Sequence, residues 1–312
     1  STLANTMAAN HSGRRPDGGV VQKGADDRTV SAAALALHAS KCGAEVAQFV
    51  EAGDQEAAEQ AVQRALQPVR KTSRKAFHNA LIGYFSSISN TAAAMWCAER
   101  MARIGLAPNI VTFNSLLQVA AKSKDLDFAQ SVWSLLTEAG LRPNSITFNT
   151  MISAYARANL PNEAEEWKRT MESHGLGSCL ATYSVVIASH SRAGNFDRAH
   201  ALFEELEDMD LPTDTGIYIP LISMCMRRGL VDRVERYLSH MRSKRVPADA
   251  KVLSAVTLFY GKVGMGARGE YWTNELRNWG EVEASALTED AVRYKQHYGT
   301  GSEANIPASS SA

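Results

Sequence analysis

Apolar residues along the middle of the chain fall into short stripes at helical spacing. Within residues 110–144, Ile110, Phe113, Leu116, Leu117 and Ala120 share one stripe, and Leu126, Ala129, Val132, Trp133 and Leu136 share a second. Lys124-Asp125 separates the two, and Gly140 followed by Pro143 is a stop signal for the second. The pattern predicts a helical hairpin.

That hairpin recurs. IVTFNSLL begins at Ile110, SITFNTMI begins 35 residues later at Ser145, and LATYSVVI follows at Leu180. The same step outward reaches KAFHNALI at Lys75, TGIYIPLI at Thr215 and a faded AKVLSAVT at Ala250. Six units are therefore expected, at 75–109, 110–144, 145–179, 180–214, 215–249 and 250–284, preceded by a degenerate helical unit at 31–74. Ala94, Ala129, Ala164 and Ala199 keep the 35-residue step, as expected where helices approach closely, and so do Met101, Leu136, Met171, Leu206, Met241 and Leu276. A hairpin of this size cannot bury both stripes alone, so neighbours must stack. The expected fold is all-α, a right-handed superhelical α-solenoid of stacked helix-turn-helix repeats with a concave groove. Residues 1–30 read as a polar, Gly-rich disordered arm, 285–298 as a capping helix and 299–312 as a low-complexity tail.

Composition narrows the chemistry. The 45% apolar content predicts a folded chain, and no apolar stretch approaches the roughly 20 residues that cross a bilayer, so no membrane span is expected. Thirty-three Lys and Arg balance 33 Asp and Glu, so no whole-molecule basic field announces a nucleic acid. Residues 75–284 are balanced too, with 22 of each sign. Cys42, Cys97, Cys179 and Cys225 are widely spaced, which argues against a disulfide framework or a zinc site. The eight histidines form no HxxxH or HExxH pair, so no metal ligands are expected, and nothing in the sequence supports a Ser/His/Asp or Cys/His catalytic set. Gly264-Met265-Gly266-Ala267-Arg268-Gly269 fits GxGxxG but follows a helical pattern rather than a strand, so no dinucleotide or other cofactor is expected.

Units that open Val111-Thr112-Phe113-Asn114-Ser115-Leu116-Leu117 and close Gly140-Leu141-Arg142-Pro143-Asn144 resemble the pentatricopeptide repeat, in its pure form of uniform 35-residue units. The resemblance implies binding of single-stranded RNA, one base per repeat. It implies that the fifth and last residues of each repeat read the base. These are Asn79/Asn109, Asn114/Asn144, Asn149/Cys179, Ser184/Asp214, Ile219/Asp249 and Ser254/Ala284. By the family's pairing rules Asn79/Asn109 and Asn114/Asn144 suit pyrimidines, C favoured; Asn149/Cys179 suits a pyrimidine, although Cys is not a usual partner there; and Ser184/Asp214 suits G, a preference resembling 5′-YYYGNN-3′. Second residues of the repeats, Val111, Ile146 and Ala181, resemble the family's apolar wedges between bases. Lys122, Arg157, Arg192, Arg227 and Lys262, also 35 apart, would neutralise phosphates. A cation at the end of a helix also complements the helix dipole, and both readings stand.

The resemblance implies two uses for such a chain. One is a non-enzymatic RNA-binding adaptor in organellar RNA processing, stability or translation, in a mitochondrion or chloroplast. The other is a protein–protein scaffold subunit of a large organellar assembly, a ribosome or photosynthetic complex. Electrical neutrality and the faded readers after residue 214 favour the second.

Overall fold

The computed structural model describes residues 32–209, 213–248 and 250–280. Asp249, Ala284, the expected arm, the expected capping helix at 285–298 and the expected tail lie outside the described residues. Among the described residues there are fourteen α-helices and no strand: an all-α chain of helical hairpins. They are α1 (Ala32–Glu51), α2 (Gln55–Leu66), α3 (Arg74–Ser87), α4 (Thr91–Arg103), α5 (Ile110–Ser123), α6 (Leu126–Glu138), α7 (Ser145–Arg157) and α8 (Pro161–Ser173). There follow α9 (Leu180–Ala193), α10 (Phe196–Asp208), α11 (Thr215–Arg227), α12 (Val231–Ser243), α13 (Ala250–Lys262) and α14 (Gly266–Gly280).

Two compact units divide the chain, one ending at Ser178 and the other beginning at Cys179. In the first unit α1, α3, α5 and α7 pack in series, and α2, α4, α6 and α8 each pack against the first helix of their own hairpin. In the second unit α9, α11 and α13 pack in series, with α10, α12 and α14 against them.

Short polar signals set the helix ends. Asn109 accepts the backbone N–H of Thr112 in a capping box at the start of α5, and Asn144 accepts that of Thr147 at the start of α7. Asp125 caps α6 through the Phe128 N–H at 2.9 Å. Two residues past the end of α6, Gly140 has a φ of +67°, the left-handed conformation that lets the Leu141 N–H return to the Leu136 carbonyl.

The periodic stripes are the core. Phe113, Leu116, Leu117 and Ala120 are buried, as are the four alanines at positions 94, 129, 164 and 199 and the whole series from Met101 to Leu276. In the GxGxxG string Gly264 lies in the turn after α13, and Gly266 to Gly269 open α14. A Cβ added at Gly269 would meet Tyr260 Cβ at 2.8 Å, so the glycine there allows α14 to lie close against α13.

One buried polar cluster breaks the period. Arg100 on α4 is 2% exposed and donates from Nε and Nη2 to the Glu59 carboxylate on α2, at 2.9 and 2.7 Å. Its Nη1 donates to His78 Nε2 at 2.6 Å, while His78 Nδ1 donates to the Arg74 carbonyl. Burial first, and the Arg100 charge after it, lower the His78 imidazole to about 4, against the opposing pull of the Arg74 carbonyl. Burial also disfavours ionised Glu59, but its bonds to Arg100 and the guanidinium charge outweigh that and hold it low.

Candidate nucleic-acid interface

On an α-helix, residues at i, i+3 and i+11 fall within one face, because eleven residues make almost three whole turns. Val111, Asn114 and Lys122 on α5 are so spaced, and so are Ile146, Asn149 and Arg157 on α7. The face opens with an apolar side chain, continues with a carboxamide and closes with a cation, roughly 16 Å along the axis at 1.5 Å per residue. Val111 is 53% exposed and Ile146 58%, although Phe113 and Phe148 two residues on are fully buried. Lys122 and Arg157 are exposed.

The reading pairs of the first unit sit at the seams between consecutive first helices. Asn79 on α3 is half-buried, and its Oδ1 accepts from Thr112 Oγ1 at 2.8 Å, at the start of α5. One repeat on, Asn114 Oδ1 accepts from Thr147 Oγ1 at 2.7 Å, and Asn114 Nδ2 lies 3.5 Å from Asn144 Oδ1. The fifth and last residues of one repeat are thereby joined through the third residue of the next. Asn114 is 7% exposed, the most enclosed of the three asparagines; Asn149 on α7 is half-buried. In the sequence Thr112 and Thr147 stand only as part of the repeat signature. Their bridging role was not legible there, because a threonine inside a capping box already has a local explanation.

In the second unit Cys179 stands exposed at the N-cap of α9, its Sγ 3.5 Å from Thr182 Oγ1. That contact holds the thiol below its ordinary value, against a smaller opposing effect of burial. Ala181 is exposed, Ser184 half-buried and Asp214 exposed at the N-cap of α11. Ile219 is half-buried and Ser254 is buried.

Arg192, Arg227 and Lys262 are exposed in the last turns of α9, α11 and α13. Arg227 has a definite protein partner: its Nη2 donates to the Ser191 carbonyl near the C-terminus of α9, at 2.7 Å. Arg228 does the same to the Gly194 carbonyl. These guanidiniums satisfy helix-end carbonyls one repeat upstream. Among the described residues no group of three His, Cys, Asp or Glu side chains is placed to hold a metal ion, and no helix is long and apolar enough to cross a membrane.

The family model described as a pentatricopeptide repeat domain matches residues 96–158, and the one described as a PPR repeat matches 146–176, 181–211 and 217–246. No curated protein matches the sequence. Among solved structures the chain is similar to the pentatricopeptide repeat protein PPR10 from maize, with 17% identity and a TM-score of 0.55 over 86% of this chain and 41% of that one. It is similar as well to nuclear proteinaceous RNase P 2 from A. thaliana, with 17% identity and a TM-score of 0.52 over 62% of this chain and 43% of that one. The chain thus spans less than half the length of either, and at such identities the likeness is one of fold.

Proposed function

The chain belongs to the pentatricopeptide repeat family, and from that premise we propose that it binds single-stranded RNA along the exposed face of its first helices, one base per repeat. The observation that carries this reading is the shared face of α5 and α7. An exposed apolar residue, a carboxamide and an exposed cation recur there in the same order, 35 residues apart. Packing does not require it: exposed Val111 and Ile146 contribute little to a core, whereas a base can stack on them.

Asn79/Asn109, Asn114/Asn144 and Asn149/Cys179 would select pyrimidines and Ser184/Asp214 would select G, giving 5′-YYYGNN-3′. Val111, Ile146 and Ala181 would wedge between bases. Lys122, Arg157, Arg192, Arg227 and Lys262 would lie along phosphates. The role that follows is a non-enzymatic adaptor in organellar RNA processing, stability or translation.

A protein-scaffold role in an organellar assembly is the second reading, and the second unit favours it. Arg227 is committed to the Ser191 carbonyl, Ile219 replaces a polar reader, and Ser254 is buried. Salt separates the two. RNA held by up to five cations loses affinity with salt at a log–log slope of up to about −3.5, roughly 0.7 per phosphate contact. A scaffold binds RNA of any sequence feebly, with no preference for CCCG over its scramble.

A further inference from the structure

Building on the RNA-binding reading above, we propose that Thr112 and Thr147 set the base preference of the repeats that precede them. Each holds an Asn carboxamide with its oxygen turned into the protein, so that the amide offers a base only its N–H groups.

Both threonines are fully buried. Each hydroxyl accepts the backbone N–H of the N-cap before it, from Asn109 at 3.3 Å and from Asn144 at 3.2 Å. A hydroxyl owns one proton, and two oxygens stand within its reach. For Thr112 these are Asn79 Oδ1 at 2.8 Å and Asn109 Oδ1 at 3.2 Å. For Thr147 they are Asn114 Oδ1 at 2.7 Å and Asn144 Oδ1 at 3.0 Å. The cap oxygens already receive the backbone N–H groups of the same threonines. The hydroxyl proton therefore crosses to the neighbouring repeat, where the acceptor is nearer.

The reverse orientation of the second amide is disfavoured by its other neighbour. Turning the Asn114 carboxamide over would bring its oxygen to the side where Nδ2 now lies 3.5 Å from Asn144 Oδ1, setting two acceptors face to face. The threonine and the last residue of the repeat together decide which end of the amide is free.

This decides the chemistry of recognition. A carboxamide free at both ends pairs with an N–H or with an acceptor, and so accommodates several bases. With its oxygen held, the amide only donates. Cytosine presents O2 and N3, two adjacent acceptors, whereas uracil carries an N–H at position 3 and guanine one at position 1. Donor-only asparagines favour cytosine at the first two bases. The repeat opening at Thr215 carries Ile217 in the corresponding place, so Ser184 reads without such a device.

The test titrates the full chain with short RNAs that differ only at the base facing 75–109 or the base facing 110–144. In Thr147→Val the ratio of cytosine to uracil affinity at the second base falls about fivefold, the worth of one hydrogen bond, while Thr147→Ser keeps it. Thr112→Val moves the ratio at the first base only, a position-specific change that a general loss of stability cannot produce. Circular dichroism establishes that the variants fold, and should one unfold, the other carries the same test in its own repeat. Unchanged ratios in folded valine variants, with Asn114→Ala still erasing the preference, overturn the role of the threonines and leave base reading intact. Unchanged ratios in Asn114→Ala as well remove base reading and this proposal together.

Discussion

Arg100 and His78 form a buried donor–acceptor pair: Nη1 of the guanidinium donates a hydrogen bond to the imidazole Nε2 at 2.6 Å. The imidazole can accept only while neutral, and its other nitrogen is committed to the Arg74 carbonyl. Through Glu59 the same guanidinium ties α2 to α4.

Acid should therefore loosen the N-terminal end of the first unit. His78 is lowered to about 4 in the fold from an ordinary 6.5, so between these values the unfolded chain binds more protons than the folded one. Stability rises with pH across that window and is lost as pH falls through it, by on the order of 3 kcal/mol in all. Glu59, held low by Arg100, acts in the same direction. Thermal unfolding measured from pH 7.5 to 4.5 should show a falling midpoint. His78→Gln, which can accept from Arg100 without titrating, should show a flatter profile; parallel profiles would refute the assignment.

The N-cap asparagines carry stability as well as any contact with RNA. Asn144→Ala removes the acceptor for the Thr147 N–H and should cost about 1 kcal/mol in urea unfolding. Asn144→Asp keeps a cap oxygen and should cost little. Equal losses for the two would show that the side chain works through something other than the cap.

Two glycines should respond to alanine for different reasons. At Gly140 nothing lies within 4 Å of an added Cβ, so the cost is that of the left-handed backbone alone, about 1 kcal/mol. Gly269→Ala instead drives a methyl into Tyr260 and should cost about 1–3 kcal/mol by forcing α13 and α14 apart. Denaturation midpoints of the two variants give both numbers, and a silent Gly269→Ala would contradict the close approach.

Neutralising the cation register should separate its members. Lys122→Ala and Arg157→Ala should each reduce the salt slope of RNA binding by about 0.7, with unfolding midpoints little changed. Arg227→Ala should lower the midpoint as well, since it releases the Ser191 carbonyl. Salt titrations beside thermal melts read both effects.

The sequence announced the fold because its core is periodic. Phe113, Ala129 and Leu136 repeat every 35 residues, and each is buried where the pattern placed it. Polar groups that act across repeats carry no such signal. Arg100 and Glu59 are 41 residues apart and outside the period, so nothing in the sequence pairs them. The candidate site divides in the same way. The exposed Val111 and Ile146 and the asparagines beside them were visible as repeat positions, whereas the threonine hydroxyls spanning to Asn79 and Asn114 needed coordinates. Arg227 looked identical to Arg157 in the register, yet a carbonyl one repeat upstream already occupies it.

Exchanging one repeat's pair for another's tests base reading most directly. Asn114→Ser with Asn144→Asp gives 110–144 the pair that 180–214 holds in Ser184 and Asp214. RNAs selected from a randomised pool by this double variant should carry G in place of the pyrimidine at the second base, with the other bases as selected by the unaltered chain. An identical selection profile for both proteins would contradict the account.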